Sequence, residues 1–564
     1  MVKKISMLAL AGMVALPGIA AAGAGSSPHD LDQKIEELSR DIDSLKAKLA
    51  RQNEALTVVD DKVNNVESDL DKSMDENGAG KIKFSGDFRS RLDVMTSSTA
   101  AQYSVGQAMQ GFGMALPMMM GQGPYSYGQI RMAVAGMKMM PAYMRAGMFQ
   151  MMGITPEQPV EYNNDTNLTN RLRLNMIAKP FENITFKGRL AMYKAFGMQS
   201  NPDGSGPFTM DGFYWDGNST RQPVDSALRV DRAYVNWTSI ADLPIWFSVG
   251  RRPTTDGPPG YIRMNDEKNA TPTAYMDYPF DGIVLGTAYS MGDDAEGKLR
   301  FCYGRGFEAG LSIENLPGAY GPRGLNDMDF AGFNWDAYKK DDTFLNVQVF
   351  GAYNLVNTPD GIDFPNPLEQ AGLVQGNGIL DRQNLGNMYH SSFVFMNKAG
   401  DLNYFLSGGW SHTMPAGYDE LGNSLLGSWW EELEDKDGYS VYAGMRYDIN
   451  DSFKVGGEYN WGSENWLGMT PGHDDLYNSK LAARGHVGEL YMIYNLPAGD
   501  ALSENAQAFI RLGAQYYKYD YSGSGSWLGS PVDVDNLATD PLYAQFFPAL
   551  DDMTQVYLTF EAAF

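Results

Sequence analysis

From Lys81 to the chain end, apolar and polar residues alternate with a period of two in sixteen separate runs. In the first run Ile82, Phe84, Phe88 and Leu92 interleave with Lys81, Lys83, Ser85, Asp87, Arg89 and Arg91. Successive side chains of a strand point to opposite faces, so each run carries one apolar wall and one polar wall. Most runs come in pairs across short turns: 170–178 with 184–194, 228–238 with 245–252, 281–290 with 297–304, 328–338 with 343–353, 388–397 with 402–411, 438–449 with 453–462, and 486–495 with 506–520. Strands at 82–94 and 553–564 stand outside the pairs. Between the pairs lie eight long loops, near 95–167, 195–227, 253–280, 305–327, 354–387, 412–437, 463–485 and 521–552. A water-soluble sandwich or propeller needs polar outward faces, which these strands lack. Short turns on one rim and long loops on the other predict an all-β transmembrane antiparallel barrel of about 16 strands, with 18 as the other count. An even number places both chain ends on the periplasmic side.

The chain starts with signs of export. Lys3 and Lys4 precede an apolar run from Ile5 to Leu16, Pro17 and Gly18 break it, and Ala20-Ala21-Ala22 offers a small-residue cleavage site. The run is shorter than the roughly 20 residues needed to span a bilayer, so residues 1–22 are predicted to be a signal peptide. Leu31, Ile35, Leu38, Ile42, Leu45, Leu49, Gln52, Leu56, Val59, Val63, Val66 and Leu70 then follow a 4-3 spacing without a slip. That is a heptad seam. Residues 23–80 are therefore predicted to form a periplasmic α-helical coiled coil, ending in a flexible joint at Asn77-Gly78-Ala79-Gly80. Mixed Ile and Leu at the seam lean towards three strands, and hence towards a homotrimer.

Composition removes several functional classes. A net charge of −25 argues against nucleic acid. Cys302 is the sole cysteine, which rules out a disulfide framework and a thiolate metal cluster. The histidines His29, His390, His412, His473 and His486 are scattered, and no nucleophile elbow, zinc-protease motif or phosphate loop is present. No enzyme activity, cofactor or metal is expected.

At the chain end Val556, Leu558, Phe560, Ala562 and Phe564 alternate with Gln555, Tyr557, Thr559, Glu561 and Ala563. A terminal strand ending on Phe564 resembles the signal read by the bacterial barrel-assembly machinery. The leader, the heptad helix and the opening strand Phe84-Ser85-Gly86-Asp87-Phe88-Arg89-Ser90-Arg91 together resemble a family of largely uncharacterised proteobacterial outer-membrane porins. Arg171-Leu172-Arg173-Leu174, Lys187-Gly188-Arg189-Leu190, Asp231-Arg232-Ala233-Tyr234-Val235 and Val249-Gly250-Arg251-Arg252 are similar too. The architecture resembles that of phosphate-selective porins, and the resemblance implies sixteen strands, a trimer and an arginine-lined pore. Outer-membrane lipid and lipopolysaccharide are the implied surroundings.

The residues opposite the apolar face must line the bore. On the first three strands these are Lys83, Asp87, Arg89, Arg91, Arg171, Arg173, Lys187 and Arg189, a wall that would concentrate anions in mid-channel. The alternative is structural: these bases neutralise a folded-in loop, or pair with Glu458, Asp448 and Glu561. The loop at 95–167 is rich in methionine, including Met118, Met119, Met120, Met137, Met140, Met144 and Met148. So apolar a loop predicts folding into the barrel or packing on its mouth as a plug or constriction, with a partner surface or thioether metal binding as alternatives. Acidic residues in 412–437, among them Asp419 and Glu420, predict a solvated outer rim. Two functions remain: a channel for passive diffusion of small hydrophilic solutes or ions, or a structural sleeve or anchor for a partner such as an outer-membrane cytochrome.

Overall fold

The computed structural model describes residues 82–197, 226–252, 257–265, 275–277, 280–291, 295–311, 324–358, 365–428, 431–470, 475–476, 478–497, 506–545 and 547–564. The predicted signal peptide, coiled coil and joint lie outside the described residues. Sixteen antiparallel strands close into one barrel. They are β1 (Ile82–Thr99), β2 (Glu161–Phe181), β3 (Ile184–Ala195), β4 (Arg229–Trp237), β5 (Ile245–Arg251), β6 (Asp281–Met291), β7 (Ala295–Phe307) and β8 (Met328–Lys340). The second half holds β9 (Thr343–Val356), β10 (Asn384–Ala399), β11 (Leu402–Pro415), β12 (Lys436–Asp448), β13 (Phe453–Gly462), β14 (Gly485–Asn495), β15 (Gln507–Tyr519) and β16 (Leu550–Ala563). Every predicted run is a strand, and each pairs with its neighbours in sequence.

Turn chemistry fixes the short rim. Lys340 pairs with Thr343 across two residues, the first of which, Asp341, takes φ +51°. Aspartate is one of the few residues that enter this left-handed region at low cost. Gly400, φ +61°, does the same between Ala399 and Leu402.

The walls are arranged inside out. On β16 Val556, Leu558 and Phe560 are exposed at 42–45%, whereas Gln555, Tyr557 and Thr559 are buried at 0–2%. Leu490, Phe333 and Val349 repeat this on distant strands. Exposing such a band to water would cost about 25 cal/mol for every Å², so this outer surface is matched to lipid. Among the described residues no helix is long and apolar enough to cross a membrane.

Closure joins β1 to β16, with Phe88 opposite Ala562 and Val94 opposite Val556. Beyond the last paired residue, Phe564 exchanges two backbone hydrogen bonds with Gly86, each of 2.9 Å. A Cβ on Gly86 would meet the Arg173 carbonyl oxygen at 2.6 Å and the Phe564 ring at 2.7 Å, so only glycine fits beneath the terminal phenylalanine.

The long loops, L1 to L8 in chain order, carry the helices. L1 (100–160) holds α1 (Val105–Met120), α2 (Tyr127–Lys138) and α3 (Ala142–Met151). Ser104 and Ser126 begin α1 and α2 with reciprocal capping by Gln107 and Gln129. L3 (252–280) holds the single turn α4 (Tyr261–Met264), and L5 (357–383) holds α5 (Pro367–Gln370).

Candidate functional site

The bore is the site, and two loops enter it. L3 leaves β5 and returns to β6, yet α4 lies against β12 to β15, six or more strands away around the barrel in either direction. Ile262 carbonyl oxygen accepts from Arg446 Nη1 on β12 at 2.8 Å, and Arg263 carbonyl oxygen accepts from Arg511 Nη1 on β15 at 2.8 Å. Asn265 reaches Lys454 at 2.7 Å and Asn495 at 2.8 Å, both beside the short-turn rim. L3 thus crosses the bore to the opposite wall and dips through most of its depth.

L7 (463–484) enters beside it. Asp277 N–H of L3 donates to the Met469 carbonyl at 2.8 Å, and Met469 N–H donates to the Tyr275 carbonyl at 3.1 Å. Trp466 packs edge-on to Tyr275 with ring centroids 5.0 Å apart, in an apolar cluster with Ile262, Phe405, Tyr442 and Leu481. Charged groups complete the joint. Arg263 Nη1 lies 2.8 Å from Asp475 of L7 and 3.0 Å from Glu489 of β14. Lys480 of L7 bonds Glu489 at 2.5 Å and also pairs with Glu458 of β13. All five side chains are at most 3% exposed. Buried charges persist only when paired and hydrogen-bonded, and this cluster meets that condition by joining two loops to one wall.

The predicted lining residues of β1 to β3 do point inward, and acids are interleaved among them. Asp87 stands opposite Arg173 in the register, and Arg89 stands opposite both Arg171 and Glu561. Asp87 accepts from Arg171 at 2.9 Å and from Arg173 at 2.8 Å, while Arg171 also pairs with Glu561. Arg91 lies 2.8 Å from Asp93, and Arg189 lies 3.3 Å from Asp231. Arg89, Arg91, Arg171, Arg173 and Arg189 keep only 1–5% exposure, so they are packed, with Lys83 and Lys187 partly exposed below them. Three of the acids, Asp93, Asp231 and Glu561, sit in the same wall. A bulge where β4 meets β3 brings in Asp231, which is skipped where the register passes from Arg232 to Val230.

The methionine-rich L1 packs over the outer mouth rather than crossing the bore. Met137 and Phe149 are fully buried in a core shared with Leu368, Leu373 and Val374 of L5 and Leu542 of L8 (520–549). Met140 and Met148 pack against it, while Met118, Met119 and Met144 are exposed at 82%, 51% and 49%, with Met120 partly buried. Tyr125 N–H donates to the Leu373 carbonyl at 2.7 Å, and Gln545 N–H donates to the Tyr103 carbonyl at 2.9 Å. Arg145, buried in α3, pairs with Asp540 of L8, and that pairing pushes its pKa above the ordinary guanidinium range. L1 is therefore a helical roof resting on its neighbours. The loop that crosses is L3, whose sequence carries no apolar excess to announce it.

Asp419 departs from the expectation of a solvated rim. It is 0% exposed in L6 (416–435) and accepts from Asn423 N–H at 2.9 Å. His390, also 0% exposed, stacks on Phe350 with ring centroids 4.8 Å apart, and neither ring nitrogen has a hydrogen-bond partner among the described residues. His412 lies at the outer rim 3.0 Å from Asp437. Among the described residues no group of three or more His, Cys, Asp or Glu could hold a metal ion.

No curated protein sequence matches this chain. Solved structures with a similar fold include OmpT, an outer membrane protein of Vibrio cholerae in a trimer form, at 9% identity and TM-score 0.37, covering 86% of this chain and 100% of that one. An anion-selective porin from Comamonas acidovorans matches at 9% identity and TM-score 0.38, covering 86% and 99%. OprB of Pseudomonas putida matches at 9% identity and TM-score 0.36, covering 86% and 94%. The barrel itself rests on its own strand pairing. A family model described as a protein of unknown function, DUF3373, matches residues 161–564, which is all of the barrel after L1. The chain belongs to that family.

Proposed function

We propose that this chain is an outer-membrane, porin-like channel passing small hydrophilic solutes or ions through a bore narrowed by L3 and L7. The observation that carries this is the crossing of L3 to the far wall, anchored by Arg263 on Asp475 and Glu489 inside a barrel whose outer wall is apolar. A charged, hydrogen-bonded constriction within a low-dielectric shell selects by size and charge. A sleeve around a partner protein would need the space that these two loops occupy. Export by the leader, recognition of Phe564 by the assembly machinery, a periplasmic coiled coil and trimerisation through its seam belong to the same proposal, as do the lipid and lipopolysaccharide surroundings. The lining of β1 to β3 holds more bases than acids, which supports a mild anion preference. Planar-bilayer recording of the purified full-length protein tests the channel: discrete conductance steps are expected, and a protein that inserts without carrying current would overturn it.

A further inference from the structure

Between the roof and the outer rim, three loops meet around carboxyl groups that neither the lipid wall nor the bore uses. Tyr127, at the start of α2 in L1, donates its hydroxyl to Glu369 Oε1 on α5 at 2.6 Å. Asn366 Nδ2 donates to that same hydroxyl at 2.7 Å and to Glu420 Oε2 of L6 at 3.2 Å. Asp381 N–H donates to Glu420 Oε2 at 3.3 Å, and Gly378 N–H donates to Glu369 Oε2 at 2.8 Å. Other charged groups of the packed elements include Asp419, Arg131 and Arg382 at the junction, with Lys138 at the far end of α2 and Glu431, Glu432, Glu434 and Asp435 further along L6. Arg131 of α2 donates to the Asp419 carbonyl at 3.4 Å, and Arg382 donates to the Thr358 carbonyl at 3.4 Å with its guanidinium 4.9 Å from the Phe307 ring. Glu369, Asp381, Asp419 and Glu420 therefore converge on the junction where L1 is held to L5 and L6.

We propose that this junction is a proton-operated latch: protonated, it keeps the L1 helices docked on L5 and L6, and its ionisation releases them from the mouth. Burial, then the charges of Asp381 and Glu369, push the Glu420 carboxyl up to about 7. Burial alone outweighs the hydrogen bonds from Asn423 and Asn357 at Asp419, which rises to about 6. The sign follows from linkage. A carboxyl whose pKa is higher docked than undocked binds a proton on docking. Docking is therefore strongest below the ordinary carboxylate range and weakens as pH rises, the effect being complete above about 7. Raising a carboxyl's pKa by one on docking changes the docking equilibrium tenfold once the group ionises. Because Glu420 is only half-buried, screening reduces the total to roughly 10- to 100-fold between pH 5 and pH 8. The pairing of Arg145 with Asp540 ties α3 to L8, away from this junction, so the helices swing away from L5 and L6 while staying tethered.

Amide hydrogen exchange of the full-length protein in detergent, corrected for intrinsic rates, tests the latch without relying on ion conduction. Protection of α1 and α2 is expected to fall 10- to 100-fold from pH 5 to pH 8 while the barrel strands stay unchanged, and Glu420→Gln should retain the acid-state protection at pH 8. Glu369→Gln removes a charge facing Glu420 and should lower the midpoint, which carries the test if Glu420→Gln does not assemble. Roof protection independent of pH in the unaltered protein, or an unshifted transition in either variant, overturns the proposal. Absence of current in a bilayer would sink the channel and leave this result standing.

Discussion

Replacing Arg263 by Met removes the cation that holds L3 across the bore. Its guanidinium satisfies two carboxylates that are 0–1% exposed, Asp475 and Glu489; without it Glu489 keeps Lys480 as its cation, and Asp475 keeps hydrogen bonds from Gln515 and the Lys480 N–H. Breaking one side of a buried ion pair costs about 3–5 kcal/mol, or two to three and a half powers of ten in a local equilibrium. That cost falls on docking of L3 and not on the barrel, because β14 and β15 remain joined by their backbone ladder from Gly485 and Tyr519 to Asn495 and Phe509. Contacts of Arg446, Arg511 and Lys454 with α4 persist and retain part of the docking. The variant should fold with an unchanged resistance to heat, show a larger and noisier single-channel conductance, and shift its reversal potential towards cations. Adding Glu489→Gln and Asp475→Asn removes the orphaned charges as well, and should bring conductance back towards the original value. Bilayer recording combined with protease mapping of residues 257–265 reads both. If Arg263→Met conducts like the unaltered protein and keeps L3 protected, the crossing loop is held by something other than this charge cluster.

Three further outcomes are expected. Phe149→Ala opens a cavity between Tyr103 and Phe112, whose rings meet Phe149 at 6.1 Å each; a loss of about 3–5 kcal/mol should make residues 105–154 protease-sensitive while the barrel stays resistant. Replacing Arg89, Arg171 and Arg189 by Gln removes three of the seven bases that line β1 to β3 and leaves Asp87, Asp231 and Glu561 with fewer cationic partners, so the reversal potential should move towards cations; unchanged selectivity would mean these arginines only neutralise their acidic neighbours. Gly86→Val places methyl groups where the Phe564 ring and the Arg173 carbonyl oxygen already lie within 2.7 Å of a Cβ, and the assembled, heat-modifiable form should drop sharply in outer-membrane fractions.

The strands were legible because their signal is local. A period of two over ten residues, bounded by Asp341-Asp342 or Gly400-Asp401, needs no knowledge of the partner strand. The constriction was not legible, because its two halves are far apart in the chain. Arg263 and Glu489 are separated by 226 positions, and nothing near either marks the other. The seat of L1 was undecided in the sequence for a related reason. Its apolar faces called for burial in the barrel or at its mouth, and Leu373, Val374 and Leu542, from loops hundreds of residues on, cover them. Alternation alone names the bases of β1 to β3 as the face opposite the apolar wall. Their neutralisation by Asp231 was hidden, since a bulge between Arg189 and Leu190 alters the register that alternation assumes.

The pairing of the first strand with the last sets a rule for how the chain can be made. Ser98 and Asp552, which touch across the seam, are 454 positions apart. Bringing two such distant points together directly would cost roughly 5 kcal/mol in chain entropy, whereas neighbouring hairpins close cheaply and in order. Growth in that order makes the sheet an open ribbon whose β1 margin stays unpaired until β16 is made. Such margins template aggregation. A truncated product lacking β16 would carry two of them permanently and should aggregate rather than close. Because Phe564 lies against Gly86, the two ends of the barrel segment can be linked and new ones opened at Asp341 or Gly400, which would change the order of ribbon growth without changing the finished barrel.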